Sequence, residues 1–99
     1  MAVSQNYLTK LRRAVRRKVD VDIDAELTDI IEECRLDLVR IGLDAEKVND
    51  EADSLILGAV RCYVRWKFGL NSEDAERNRQ GYEQLKSDLQ YYGEYKREE

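Results

Sequence analysis

Carboxylates dominate the side chains with which this chain could do chemistry. Aspartate and glutamate number 21 among 99 residues, beside two cysteines and no histidine. General acid–base catalysis needs a carboxylate or imidazole held in a concave site. These carboxylates fall instead on the polar faces of amphipathic stretches, at a density where close pairs arise by chance. The lack of histidine removes the commonest general base and metal ligand. Cys34 and Cys62 are too far apart for a CxxC motif, and each falls on an apolar stripe. They are expected to be small reduced core residues, neither disulfide-bonded nor metal-bound. No glycine-rich loop cradles phosphate, and no serine sits in a GxSxG setting. The expectation is a protein that is not an enzyme, with no catalytic residue, cofactor or metal.

Binding chemistry is better represented. The run RRAVRRK, with Arg12, Arg13, Arg16 and Arg17, has the charge density of a phosphate-contacting segment. The first eighteen residues hold six of the 17 basic side chains and no acid; the remainder sets eleven against 21 acids, a net −10. An acidic body with a basic N-terminal segment suits an anionic partner, either nucleic acid or the acidic face of a neighbouring subunit; a solvated helix face is the plainer alternative. Reading DNA sequence would require Asn, Gln or Arg aimed together at base edges. Gln5 and Asn6 lie nearby, but helix-turn-helix spacing is absent and the body is acidic. In AVRCYVRWKFG, Trp66 and Phe68 stand beside Arg65 and Lys67. They either cap the core where the chain reverses or form an aromatic–basic edge for another subunit. Tyr91, Tyr92 and Tyr95 crowd a segment too short and charged to bury them alone.

These groups must be carried by helices. The chain has no proline, 38% charged and 42% hydrophobic residues, a composition that favours helix and argues against disorder. Apolar spacing predicts an all-α fold, a compact single domain over residues 1–99 with about four helices. The basic first helix covers about 4–18, with Ser4 as cap. The core helices cover about 22–41, 50–68 and 72–92. Asp22 or Asp24 caps the second, Asn49 or Asp50 the third, Asn71 or Ser72 the fourth. Gly42 ends the second helix and Gly69 the third, while Gly58 allows close approach of another helix. The connector LDAEKVND has room for a helical turn. Leu27, Ile31, Cys34, Leu38, Leu55, Ile56, Ala59, Val60 and Tyr63 should be mutually buried. Glu32, Glu33, Arg35, Asp37 and Arg40 should be wet. The fourth helix has a narrow stripe, and the tail 93–99 has no apolar spacing and is expected to fray. No stretch has signal or membrane-spanning length, so a soluble protein made in the cytoplasm is expected.

The ordered set DIIEECRLDLVRIG, LILGAVRCYVRWKFG and DAERNRQGYEQLKSDL resembles the small head–tail connector proteins of tailed bacteriophages and prophages, also described as DNA-packaging or head-completion adaptors. The matching positions are Leu55, Ile56, Ala59, Val60, Tyr63, Val64, Phe68, Gly69, Ala75, Glu76, Arg77, Tyr82, Leu85, Lys86 and Leu89. The likeness runs from about Asp22 to Tyr95, and the basic first helix lies outside it. The resemblance implies a structural subunit that assembles with copies of itself into a ring, twelve-fold in the virion, under the portal protein. Such a ring extends the DNA channel and docks stopper or tail-completion proteins. It places the protein in the bacterial host cytoplasm during assembly and then at the virion's head–tail junction, with no membrane contact. On that basis Arg12, Arg13, Arg16 and Arg17 are candidates for a subunit or DNA-channel interface. Trp66, Tyr91, Tyr92 and Tyr95 are candidates for contact with the portal or a neighbour. A dense arginine lining would grip phosphates and hinder sliding, so pairing with a neighbour's acidic surface is favoured over lining a channel. Contact with packaged DNA would be non-specific. The alternative is a small helical nucleic-acid-binding regulator.

Overall fold

Local capping chemistry sets the helix starts in the computed structural model, which describes residues 3–16, 20–68 and 72–97. Helix α1 spans Gln5–Val15, and the Ser4 side chain accepts from the Tyr7 N–H at 3.1 Å. It ends at Arg16, whose left-handed backbone (φ 56°) lets its N–H reach the Arg12 and Arg13 carbonyls. The helix thus stops at Val15, short of the expected bound, and residues 17–19, including Arg17, lie outside the described ones. Helix α2 spans Val21–Arg40. Its cap is Asp20 rather than Asp22 or Asp24, accepting from the Asp22 N–H at 2.9 Å and the Ile23 N–H at 3.3 Å. That leaves Asp24 inside the first turn, free to turn toward α1. Gly42 follows at φ 107°, a conformation glycine adopts without Cβ strain.

The connector contains the short helix α3, Ala45–Val48, capped by Asp44. Asn49 ends α3 instead of opening the next helix. Helix α4 therefore starts late, at Ser54–Lys67, with Asp53 accepting from the Leu55 and Ile56 N–H groups at 3.0 Å. Helix α5 spans Ser72–Tyr91. The expected stop at Gly69 and the Asn71 cap fall on residues 69–71, outside the described ones. The fold is an all-α bundle with α4 as its hub: α1, α2 and α5 each pack against it.

Burial follows most of the predicted stripes. Leu27, Ile31, Cys34, Leu38, Ile56, Ala59, Val60, Val64 and Leu11 are almost fully buried, joined by Tyr7, Tyr82 and Leu89. Leu55 is not in the core: it is 44% exposed. In the first turn of α4, Ile56 continues the inward series of Val60 and Tyr63, so Leu55 sits about 100° away. The close approach between α4 and α5 is at Gly81, where an added Cβ would meet the Cys62 sulfur at 3.3 Å. At Gly58 the nearest such atom is Leu85 Cδ1 at 3.9 Å, an ordinary contact that does not require glycine. Both cysteines are free thiols; burial pushes Cys34 up to about 12. Ile31→Ala or Leu38→Ala should cost about 2–5 kcal/mol in denaturant unfolding. Leu55→Ala should change stability by about 0.5 kcal/mol or less, and a larger loss would put Leu55 back in the core.

Candidate functional site

The basic helix α1 does not present its arginines as one uniform face. Arg12 is 8% exposed and points inward. Its Nη1 donates to both Asp24 oxygens at 3.0 Å, and its Nη2 to the Thr9 hydroxyl at 2.9 Å. Arg12 thus clamps α1 to the first turn of α2, which removes it from the proposed intersubunit set. A guanidinium this buried is stable only with its charge paired. Arg13 and Arg16 remain exposed. Across the end of the helix, Arg65 Nε donates to the Ala14 carbonyl at 3.0 Å.

Two residues expected on the wet face of α2 are structural. Arg35 is 4% exposed and pairs with Glu51 at 3.3 Å. Glu51 also accepts from the Ser4 backbone N–H at 3.0 Å, and the Arg35 guanidinium lies 5.3 Å from the centre of the Tyr7 ring. Burial alone would raise the Glu51 carboxyl, but Ser4 and Arg35 hold it below its ordinary value. The signal was present in the sequence, because Arg35 stands four residues after Ile31 and three before Leu38, on the apolar stripe. Its charge masked that placement.

Asp37 accepts from the Tyr82 hydroxyl at 2.6 Å and from Lys86 Nζ at 3.3 Å. Burial pushes its carboxyl up, yet these two donors outweigh that and leave it below its ordinary value. The Tyr63 hydroxyl donates to Glu33, which Lys67 also approaches at 3.6 Å. These pairs let tyrosines enter the core while their hydroxyls end on carboxylates at its edge. Burial is the first cause raising Tyr63 and Tyr82, and the carboxylate partners push the same way. What they supply chemically is held protons at helix contacts.

The aromatic edge packs on the core and keeps part of its surface in solvent. Trp66 is half-buried against the core, edge-on to Tyr63 with centroids 5.4 Å apart and tilted over Tyr82 at 6.4 Å. Lys67 Nζ lies 4.3 Å from the centre of its ring. Trp66 and Phe68 thus cap the core. The tail is corrected too. A 3-10 turn, Gly93–Tyr95, brings Tyr95 to 5% exposure, and its hydroxyl donates to the Asp53 carboxylate at 2.8 and 3.0 Å. The Asp44 N–H donates to the Tyr95 carbonyl at 2.8 Å and the Arg97 N–H to the Gly42 carbonyl at 2.9 Å. Residues 93–97 are therefore clasped to the α2–α3 connector, and Tyr95 is occupied within its own chain. Short-range apolar spacing could not reveal this, since its partners lie more than forty residues away. Tyr91 and Tyr92 stay open, at 88% and 46% exposure.

Among the described members of the expected set, Arg13, Arg16, Tyr91 and Tyr92 are exposed and Trp66 is partly so. Among the described residues no group of three or more acidic, cysteine or histidine side chains converges to hold a metal. None of the described helices is long and apolar enough to cross a membrane. Compared with family models, curated proteins and solved structures, the chain matches none.

The carboxylates set the acid limb of stability. A folded-state carboxyl held low contributes above its unfolded value, near 4, and that contribution is lost as pH falls through the lower folded value. Asp37→Asn should therefore flatten the stability–pH curve below about pH 4; a curve parallel to wild type would show that Asp37 is not coupled to folding. The tyrosines act with the opposite sign. Tyr7 and Tyr95 are both pushed up to about 12, burial being the first cause, and Tyr63 and Tyr82 are raised as well. Their contribution is complete below the ordinary tyrosine value of about 10 and lost as pH rises through the native values. Tyrosinate absorbance from these four should rise together with loss of helical circular dichroism. For the clasp, Tyr95→Ala should cost about 2 kcal/mol or more in thermal or denaturant unfolding. An unchanged melt would return the tail to the frayed state.

Proposed function

We propose that this protein is a non-catalytic structural subunit of a phage or prophage head–tail connector, assembling beneath the portal and offering a docking surface for stopper or tail-completion proteins. The resemblance over residues 22–95 carries the proposal. The apolar positions of that likeness, among them Ile56, Ala59, Val60, Tyr63, Val64, Tyr82 and Leu89, pack into a single core. Several of the remaining features suit a subunit completed by neighbours. Arg13 and Arg16 form no ion pair among the described residues, and Tyr91 stands almost fully in solvent. Exposed charge pairs contribute at most about 1 kcal/mol each, so assembly through them requires many copies or partial burial.

The test is retention on portal rings, measured with self-association by light scattering and with duplex binding at physiological salt. Wild type should be retained and should bind duplex DNA weakly, without sequence preference. Arg13→Glu with Arg16→Glu should weaken retention or self-assembly while leaving the thermal melt unchanged. A double variant that assembles normally but leaks packaged DNA would assign these arginines to the channel. Tight, sequence-selective duplex binding without portal retention would favour the nucleic-acid-binding regulator.

A further inference from the structure

A lone unpaired charge on a helical surface is simply solvated, whereas several of one sign around a cleft with apolar walls attract an oppositely charged partner. Arg12, Arg35, Arg40 and Arg79 each pair with a carboxylate. Arg16, Arg65 and Arg77 do not, among the described residues, yet they converge on one cleft of about 540 Å³ between the ends of α1 and α4 and the start of α5. Val15 and Phe68, both half-buried, contribute apolar surface to it. Among the described residues that line it, Asp74 is the one carboxylate beside three guanidiniums. Arg65 is anchored by its Nε to the Ala14 carbonyl, which fixes the planar head while leaving its terminal amino groups for an incoming oxyanion.

The complementary surface is on the same molecule. Along the start of α2, Val21, Asp22, Ala25, Glu26 and Asp29 are all exposed at three- and four-residue steps. Val21 is 85% exposed, and the Asp22, Glu26 and Asp29 carboxylates form no ion pair among the described residues. Asp24, by contrast, faces inward to Arg12. An acidic helix face with an apolar end matches a basic cleft with apolar walls. A nucleic-acid phosphate would meet the guanidiniums of that cleft but would leave its apolar walls, Val15 and Phe68, without a partner.

We infer that the Arg16–Arg65–Arg77 cleft receives the acidic first turns of α2 from a second copy of this chain. The inference rests on the self-assembly proposed above and names its two halves. Because cleft and acidic face are separate surfaces of one subunit, the contact can repeat head to tail, as a ring requires.

Charge reversal tests it. At low salt and high concentration, light scattering should give a mass above that of one 11.6 kDa chain, falling toward it as salt rises. Arg65→Glu with Arg77→Glu should weaken association about tenfold or more. Asp22→Lys with Glu26→Lys, which leaves the Arg65 anchor intact, should do the same, and combining the four changes should restore it. Circular dichroism checks that each variant is folded. A single-chain mass for wild type under all conditions would overturn this contact together with the proposed self-assembly. Association that survives either reversal would overturn this contact alone. Binding of a fluorescent duplex that is lost in Arg65→Glu with Arg77→Glu would assign the cleft to nucleic-acid phosphate and overturn it as well.

Discussion

A buried guanidinium constrains this bundle more than any other single group. Arg35 lies on the inward face of α2, where an unpaired charge would cost several kcal/mol, so a carboxylate must come to it. Glu51 does, from the connector before α4, and the same carboxylate takes the N–H of the residue that caps α1. One ion pair thereby fixes the start of α1, the middle of α2 and the path of the connector. Arg12 and Asp24 repeat the device at the other end of α1. With both ends tied, α1 can lie across α2 and α4 although Arg12 on its inward side is charged.

The helix with the poorest apolar stripe is held by a different means. Helix α5 presses on α4 closely because Gly81 leaves room for the Cys62 sulfur. It reaches α2 through side chains, where Asp37 takes both the Tyr82 hydroxyl and the Lys86 ammonium. Tyrosine suits this role, since its ring adds core area while its hydroxyl needs a polar end point. Tyr95 uses the same chemistry on Asp53, whose carboxylate also caps α4, so the tail and the start of α4 share one acceptor.

Pairing that consumes so many inward charges leaves a segregated outer surface. Arg16, Arg65 and Arg77 around the α1–α4–α5 end and the Asp22, Glu26 and Asp29 carboxylates along the start of α2 form no ion pairs within the described residues. Separated unpaired patches of opposite sign favour ordered association over random contact, because like-charged faces repel every wrong register. A connector ring would use that property, with the exposed Tyr91 and Tyr92 left for a different neighbour.

Periodicity determined the all-α class, the stripes of α2 and α4 and most of the core, because a 3.6-residue apolar repeat has one way to be buried. The presence of Asp44, Asn49, Asp50 and Asp53 within ten residues offered several helix starts of similar local energy. Tertiary packing selected Asp53, and it turned the Ile56–Val60–Tyr63 side of α4 inward, which leaves Leu55 outside. Charge was legible as a total but not as a placement. Arg12 and Arg35 read as surface residues until Asp24 and Glu51 were brought beside them, since pairing is a contact between segments distant in the chain. The tail's order was equally invisible, because Tyr95 is held by Asp53, Lys47 and the α2–α3 connector, all more than forty residues away in the chain. What sequence alone decided was which faces are apolar; which charges stay in water was decided only when the helices met.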